Sequence, residues 1–284
     1  MLITTLYDIA IKVYNGNIGG VFMQAKDIIK HFEDAGPWVN RQHTRDVVLA
    51  GNPEIEVKKV GVCWMMTNKA LKLAIDAGVN FIITHENPFY EASTVQHHLY
   101  SQSAHAKRML LEEHSICLYR CHDLWDRIPE VGIADIWART IGLSFEKRKL
   151  SSYNSYAHFP AVSVKEIAKK VAAAVAPYGQ QAVQLYGDPE QLVSSLVIGT
   201  GAAIDVNNML MDQPVDAIVT SEDGCKSYEG VQYCLDNNIP VICVNHAQSE
   251  MAGLESLVDY LKQQFDVPCE YLPEGYETLH VKAE

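Results

Sequence analysis

A single offset organises this chain. Shifted by 136 positions, Val60-Gly61-Val62 falls on Leu196-Val197-Ile198, and Ile82-Ile83-Thr84-His85-Glu86-Asn87 falls on Ile218-Val219-Thr220-Ser221-Glu222-Asp223. Between the two apolar runs lies a helical stretch in each copy, Asn68 to Ala77 in the first and Asp205 to Met211 in the second. Each copy then continues through another helix to a third apolar run. The first gives Ile116 to Tyr119 and then His122; the second gives Pro240 to Val244 and then His246. The second connection is shorter, so the alignment slips there by about a dozen residues. Simple strand patterns can echo by chance, but one offset recovers both Ile-x-Thr-x-Glu and the earlier strand, which favours a true repeat.

Strand–helix–strand–helix–strand written twice restricts the fold to the α/β class. Right-handed crossovers bring successive strand ends to one edge of each sheet. The expected architecture is two similar αβ lobes, with mixed sheets flanked by helices and a metal site in the cleft between them. The first lobe is expected over 1–150 and the second over 151–284, with the C-terminal helix able to pack back on the first. The polar and aromatic stretch Ser151 to Pro160 reads as the crossover between lobes. An amphipathic helix is expected over Val164 to Ala176, with Ser163 and Glu166 spaced as a capping box and Pro177 just beyond it.

Bulk properties exclude several classes. The formal net charge of -12 argues against nucleic-acid binding, which needs basic surface, and suits cation recruitment or a protein partner. Met1 to Gly20 reads as an amphipathic helix with Leu2, Leu6, Ile9 and Val13 on one side. No stretch of 18 apolar residues occurs, so no membrane span is expected. The seven cysteines are scattered, with no CxxC pair, and several sit in apolar runs as small buried hydrophobes; a reducing, cytoplasmic protein is the simplest reading.

Chemistry-bearing residues gather just past strand-like runs, where open α/β sheets bind ligands. His85 and Glu86 precede the turn signal Asn87-Pro88. His122 and Asp126 follow the third run; Asp126 either bridges cations or simply caps a helix or pairs with Arg127. His246 and Glu250 are four apart, on one face of a helix starting near Asn245. They either share a cation or open a helix whose dipole favours the acid. His97, His98, His105 and His114 lie on polar helix-like sequence and are set aside as solvated. There is no Gly-x-Ser-x-Gly elbow and no supported Cys/His pair. Gly199-Thr200-Gly201 reads as a tight strand–helix turn, without the continuation a nucleotide loop needs.

Four segments, in order, resemble a known family, the Nif-three-like proteins, also described as dinuclear-metal-centre or GTP cyclohydrolase type-one, type-two-like proteins. Phe81-Ile82-Ile83-Thr84-His85-Glu86-Asn87-Pro88-Phe89 resembles the family's Ile-Ile-Thr-His-His-Pro motif. His122-Asp123-Leu124-Trp125-Asp126 resembles His-Thr-Asn-Leu-Asp, and Asp216 to Glu222 resembles Asp-x-x-x-Thr-Gly-Glu. Val244-Asn245-His246-Ala247-Gln248-Ser249-Glu250 resembles Gly-His-Tyr-x-x-Glu. The family's metal ligands then fall on His85, Asp126, His246 and Glu250, and its second histidine is here Glu86. Asn245 replaces the usual glycine, and the histidine expected around Gly224-Cys225 is missing, so the chain looks like a divergent member.

The resemblance implies two divalent ions, drawn from Zn, Mn, Fe or Ni, sharing Asp126 or Glu250 and holding a water between them. A metal-dependent hydrolase acting through that water on a small phosphoryl, amide or cyclic amidine substrate is the first expectation. In it Glu86 is either a metal ligand or the general base. A non-enzymatic metal-binding scaffold is the alternative, and a regulatory partner of transcription proteins is the third. The resemblance also implies a homo-oligomer, a ring-shaped hexamer with sites facing an interior cavity.

Overall fold

The computed structural model describes residues 22–90, 98–202, 204–225 and 228–281. The helix expected over Met1 to Gly20, and His97, lie outside the described residues. The elements run α1 (Ala25–Ala35), β1 (Val47–Ala50), β2 (Val60–Met65), α2 (Asn68–Asp76), β3 (Phe81–Glu86), α3 (His98–Glu113), β4 (Cys117–Arg120), α4 (Asp123–Arg127) and α5 (Ile133–Thr140). They continue with β5 (Ser155–Ser163), α6 (Val164–Val175), β6 (Gln184–Tyr186), β7 (Leu192–Ile198), α7 (Val206–Asp212), β8 (Ala217–Ser221), α8 (Tyr228–Asp236), β9 (Val241–Val244), α9 (His246–Gln264) and β10 (Cys269–Tyr271).

Two five-stranded mixed sheets result, ordered β1-β4-β3-β2-β10 and β5-β7-β8-β9-β6. In each, three consecutive parallel strands form the centre and an antiparallel strand closes an edge. The internal repeat holds residue for residue. Val60 pairs with Phe81 and Val62 with Ile83; at the same offset Leu196 pairs with Ala217 and Ile198 with Val219. At the third strand Ile82 pairs with Leu118 but Ile218 with Val241, so the offset shortens as the shorter connection requires.

Alternation along the strands divides each sheet's apolar residues between two faces. Val60, Val62, Phe81 and Ile83 pack on one face of the first sheet, and Cys63 and Ile82 on the other. Leu196, Ile198, Ala217 and Val219 likewise oppose Val197 and Ile218 in the second. His85 continues the Phe81, Ile83 parity, so it projects on the face that α9 covers with Met251, Leu254, Leu257, Val258 and Leu261. Burial of such side chains contributes roughly 1.5–3 kcal/mol each, enough to hold the helix while its first turn carries a buried acid.

The C-terminal part returns to the first sheet. β10 pairs in parallel with β2, Glu270 opposite Gly61. Helix α9 also crosses α5 closely, where a Cβ on Gly253 would come within 2.7 Å of Ile133 Cα. Two local expectations meet the structure differently. Helix α6 starts at Val164 with Ser163 Oγ accepting from Glu166 N at 3.4 Å, as the capping signal requires. The stretch read as a crossover is half strand: Ser155–Ser163 pairs antiparallel with β7. It is an edge strand, and Pro160 falls in the irregularity between His158 and Val162, where the ladder with β7 is interrupted.

Candidate metal centre

Three strand ends and one helix start build the site. Helix α9 begins at His246 with Asn245 as N-cap, so His246 and Glu250 lie one turn apart on one face. The carboxylate of Glu222, the strand-end acid matching Glu86, accepts from His246 N and thereby caps α9. Past β4 the chain turns into the short α4, and Asp46 holds that turn. Its Oδ1 accepts from His122 N at 2.6 Å and Asp123 N at 2.8 Å, and its Oδ2 from Leu124 N at 3.1 Å. His122 and Asp126 are thus fixed on one side of α4 rather than left on a mobile loop.

The donors converge. His85 is fully buried, and its Nε2 lies 3.4 Å from Asp126 Oδ1 and 3.4 Å from Glu250 Oε2. His246 Nε2 lies 3.1 Å from the same Glu250 oxygen. His122 stacks on His85 with ring centroids 4.3 Å apart, and its Nδ1 is 3.2 Å from Asp126 Oδ2. His85, His122 and Asp126 each offer a ligand atom within 4.8 Å of the others.

This donor set fits a divalent cation on three grounds. First, His85 Nε2 is buried without a hydrogen-bond partner, while Nδ1 is held 3.2 Å from Cys121 O, so Nε2 is the ring nitrogen left facing the cluster. Second, His246 Nδ1 meets Asp223 Oδ2 at 2.8 Å, the carboxylate–imidazole support that metal-bound histidines use. Third, pairs of donors around one cation with bonds of about 2.1 Å stand roughly 3.0–3.4 Å apart, the separations found here. Gly201 completes the cradle: with φ +76°, its Cβ would lie 2.8 Å from Glu250 Oε1 and 3.4 Å from His246 Nε2.

Electrostatics follow from burial against pairing. Burial alone raises Glu250, yet the charges of His246 and His85 hold it well below the usual carboxylate range. Burial lowers His246, but Glu250 and then Asp223 push it up to about 10. His122 is also raised well above its ordinary value, because Asp126, Asp123 and Glu86 outweigh its burial. Burial works against the charge of Glu86, but His122, His85 and Arg120 bring its carboxyl down to about 2.

Glu86 differs from its neighbours. Arg120 Nη2 donates to Glu86 Oε2 at 2.6 Å, and His122 Nε2 lies 3.3 Å from Oε1. The group read as ligand or general base is engaged as an ion-pair partner, and a carboxyl near 2 is a weak proton acceptor at neutral pH. The cluster opens into a cavity of about 270 Å³ whose lining includes Arg45, Arg120, Tyr153 and Gly201.

Residues 23–273 match the family described as Duf34/NIF3 (NGG1p interacting factor 3). The chain belongs to the Duf34/NIF3 family. A GTP cyclohydrolase 1 type 2 homolog of Chlamydia pneumoniae is 23% identical over 267 residues, covering 88% of this chain and 98% of that protein. Among solved structures, a hypothetical protein of Staphylococcus aureus superposes with a TM-score of 0.75 at 17% identity, over 91% of this chain and all of that one. A Bacillus cereus protein related to NIF3 gives 0.73 at 11% identity, over 92% and 98%. These similarities extend the Duf34/NIF3 fold across both sheets.

Within this Duf34/NIF3 chain the structure brings Glu86, Asp126, His246 and Glu250 to one cavity, with His85 buried against Asp126 and Glu250. It adds His122, which the motif comparison left outside the ligand set. Trp64, Asp46, Arg120 and Asp223 also escaped the sequence reading. Arg120, a base directly at a strand end, was the one with a local signal. Trp64 donates Nε1 to Glu250 Oε2 at 2.7 Å and had none. His105 and His114 are exposed, as read. No helix among the described residues is long and apolar enough to cross a membrane.

Proposed function

We propose that the chain is a metal-dependent hydrolase acting on a small polar substrate that bears a phosphoryl, amide or cyclic amidine group. The observation carrying this reading is the buried, unpartnered Nε2 of His85, set 3.4 Å from both Asp126 and Glu250. His85, His122, Asp126 and Glu250 would hold a cation, with His246 against Glu250 at the edge of that group, and imidazole with carboxylate suits Zn, Mn, Fe or Ni. A divalent cation supplies Lewis acidity there, polarising the substrate and acidifying water.

The chain's own residues orient and select. Cys121 O and Asp223 fix which imidazole nitrogen faces inward. Arg45 at the cavity favours an anionic group on the substrate, whereas Arg120 is already paired with Glu86, and about 270 Å³ suits a small molecule. The similarity to a GTP cyclohydrolase 1 type 2 homolog of Chlamydia pneumoniae supports a cyclic amidine as one substrate class. A cytoplasmic setting and a homohexameric ring with inward-facing sites belong to the same proposal, supported by family membership. Light scattering of the purified protein tests the ring.

The test is metal-free protein reloaded with Mn or Zn and assayed on nucleotides, phosphoesters, amides and cyclic amidines. Turnover is expected to depend on metal and to fall roughly 100-fold or more in His122→Ala. Undiminished turnover in that variant would remove the metal from the reaction. A melting temperature lowered by chelation, with no turnover on any substrate, would make the chain a metal-binding scaffold instead.

A further inference from the structure

The donors fall into two groups that meet at Glu250. One is His85, His122 and Asp126, whose ligand atoms lie within 4.8 Å of one another. The other is His246 with Glu250, 3.1 Å apart. Glu250 Oε2 reaches both groups. A second ion beside His246 needs at least one more side chain, and of the acids that line the cavity with His246, Glu86 is the one outside the first group and Glu250.

Glu86 is already committed. One oxygen accepts from Arg120 Nη2 at 2.6 Å and the other faces His122 Nε2 at 3.3 Å. Arg120 is itself pinned, because its Nε donates to His85 O at 3.0 Å. The Arg120 side chain is only 13% exposed, so water screens its charge poorly, and it cannot shed its proton to make room for a cation. We propose that the centre takes one divalent ion tightly, in the His85, His122, Asp126 and Glu250 group, and that Arg120 excludes a second by holding Glu86 and placing a fixed positive charge beside it. This rests on the metal reading above and narrows it from two ions to one.

The assignment has a chemical consequence for the ligands. His246 and Glu250 alone leave a second ion with two protein donors, fewer than the three that catalytic zinc sites keep. Releasing Glu86, or replacing it with an imidazole, restores the third.

The experiment is metal stoichiometry on the intact protein, stripped with chelator and titrated with Zn²⁺ by calorimetry, with elemental analysis after dialysis. The wild type is expected to retain one equivalent per chain. Arg120→Gln and Glu86→His are each expected to raise affinity for a second equivalent by roughly 10- to 100-fold. Normal binding of the first equivalent certifies that each variant is folded. Loaded with Mn²⁺, the wild type is expected to give the six-line resonance of an isolated ion, not the spectrum of a coupled pair. Two tight equivalents in the wild type overturn the proposal while leaving the metal reading intact. One equivalent in the wild type with no second site in either variant overturns the role of Arg120. No tight equivalent in the wild type overturns this proposal and the metal-dependent function together.

Discussion

Trp64 Nε1 donates to Glu250 Oε2 across 2.7 Å, tying a strand of the first sheet to the first turn of α9. The indole fixes the oxygen that also faces His85 and His246. Trp64→Phe keeps most of the ring and removes the donor. Metal affinity is expected to fall roughly 10- to 100-fold, the usual effect of losing a group that orients a ligand. Stability is expected to drop by about 1–3 kcal/mol. Competition against a chromophoric chelator reads the first effect, and unchanged affinity would mean that Glu250 needs no orienting partner.

Gly201 and Gly142 make a controlled pair. Both have positive φ, +76° and +70°, but nothing lies within 4 Å of a Cβ built on Gly142. Alanine at either position is expected to cost roughly 1–3 kcal/mol in backbone strain. Only Gly201→Ala is expected to lose metal as well, since its methyl group meets Glu250 and His246. Thermal melts with metal content distinguish the two, and equal metal loading would sink the idea that Gly201 shapes the site.

Metal uptake is expected to strengthen with pH. In the metal-free protein His246 is raised to about 10, although burial alone would lower it, because Glu250 and Asp223 favour its charge. Its contribution to stability is therefore full below its ordinary 6.5 and is lost as pH rises through about 10. Glu86 has the opposite sign: brought down to about 2, it contributes above 4.5 and loses that contribution as pH falls through about 2. A cation held by His122 must displace the proton that its acidic neighbours favour there, since His122 is also raised well above its ordinary value, so apparent affinity should rise about tenfold per pH unit for each proton released. Calorimetry in buffers of different ionisation enthalpy counts those protons; zero release at neutral pH would contradict the assignment of His122 as a ligand.

Asp46 is expected to be the acid outside the ligand set whose loss costs most. Asp46→Ala leaves the amides of His122, Asp123 and Leu124 without their acceptor, at roughly 1–3 kcal/mol for each donor that stays buried. Asp46→Asn keeps an acceptor oxygen and should recover part of the loss. Denaturant unfolding measures the cost, and amide exchange at His122 to Leu124 localises it. Wild-type exchange rates in the alanine variant would show that α4 holds itself.

Much of this molecule is legible in the sequence because its repeat is carried by strands, and strand parity decides which side chains share a face. Val60, Ile83 and Leu196 fix two similar sheets, and the parity of His85 with Phe81 and Ile83 fixes the direction of the first ligand. The spacing of His246 and Glu250 is equally local, since one helical turn joins them. Glu86 was harder: its identity is visible, but its role depends on Arg120, which only the pairing of β3 with β4 brings alongside. Trp64 and Asp46 act through contacts between segments far apart in the chain, and no local pattern announces such contacts. The stretch Ser151 to Pro160 misled because edge strands tolerate the polar residues and proline that also mark loops.

The parallel pairing of β10 with β2 gives the molecule an order of birth. A growing chain that has emerged only through its first sheet's central strands presents β2 with an open side and an apolar face awaiting Leu254, Leu257 and Leu261. Such an edge is sticky, so early nascent forms should recruit chaperones until synthesis passes Tyr271. Glu250 is added about 120 residues after Asp126, so the complete ligand set exists only once most of the chain has been made.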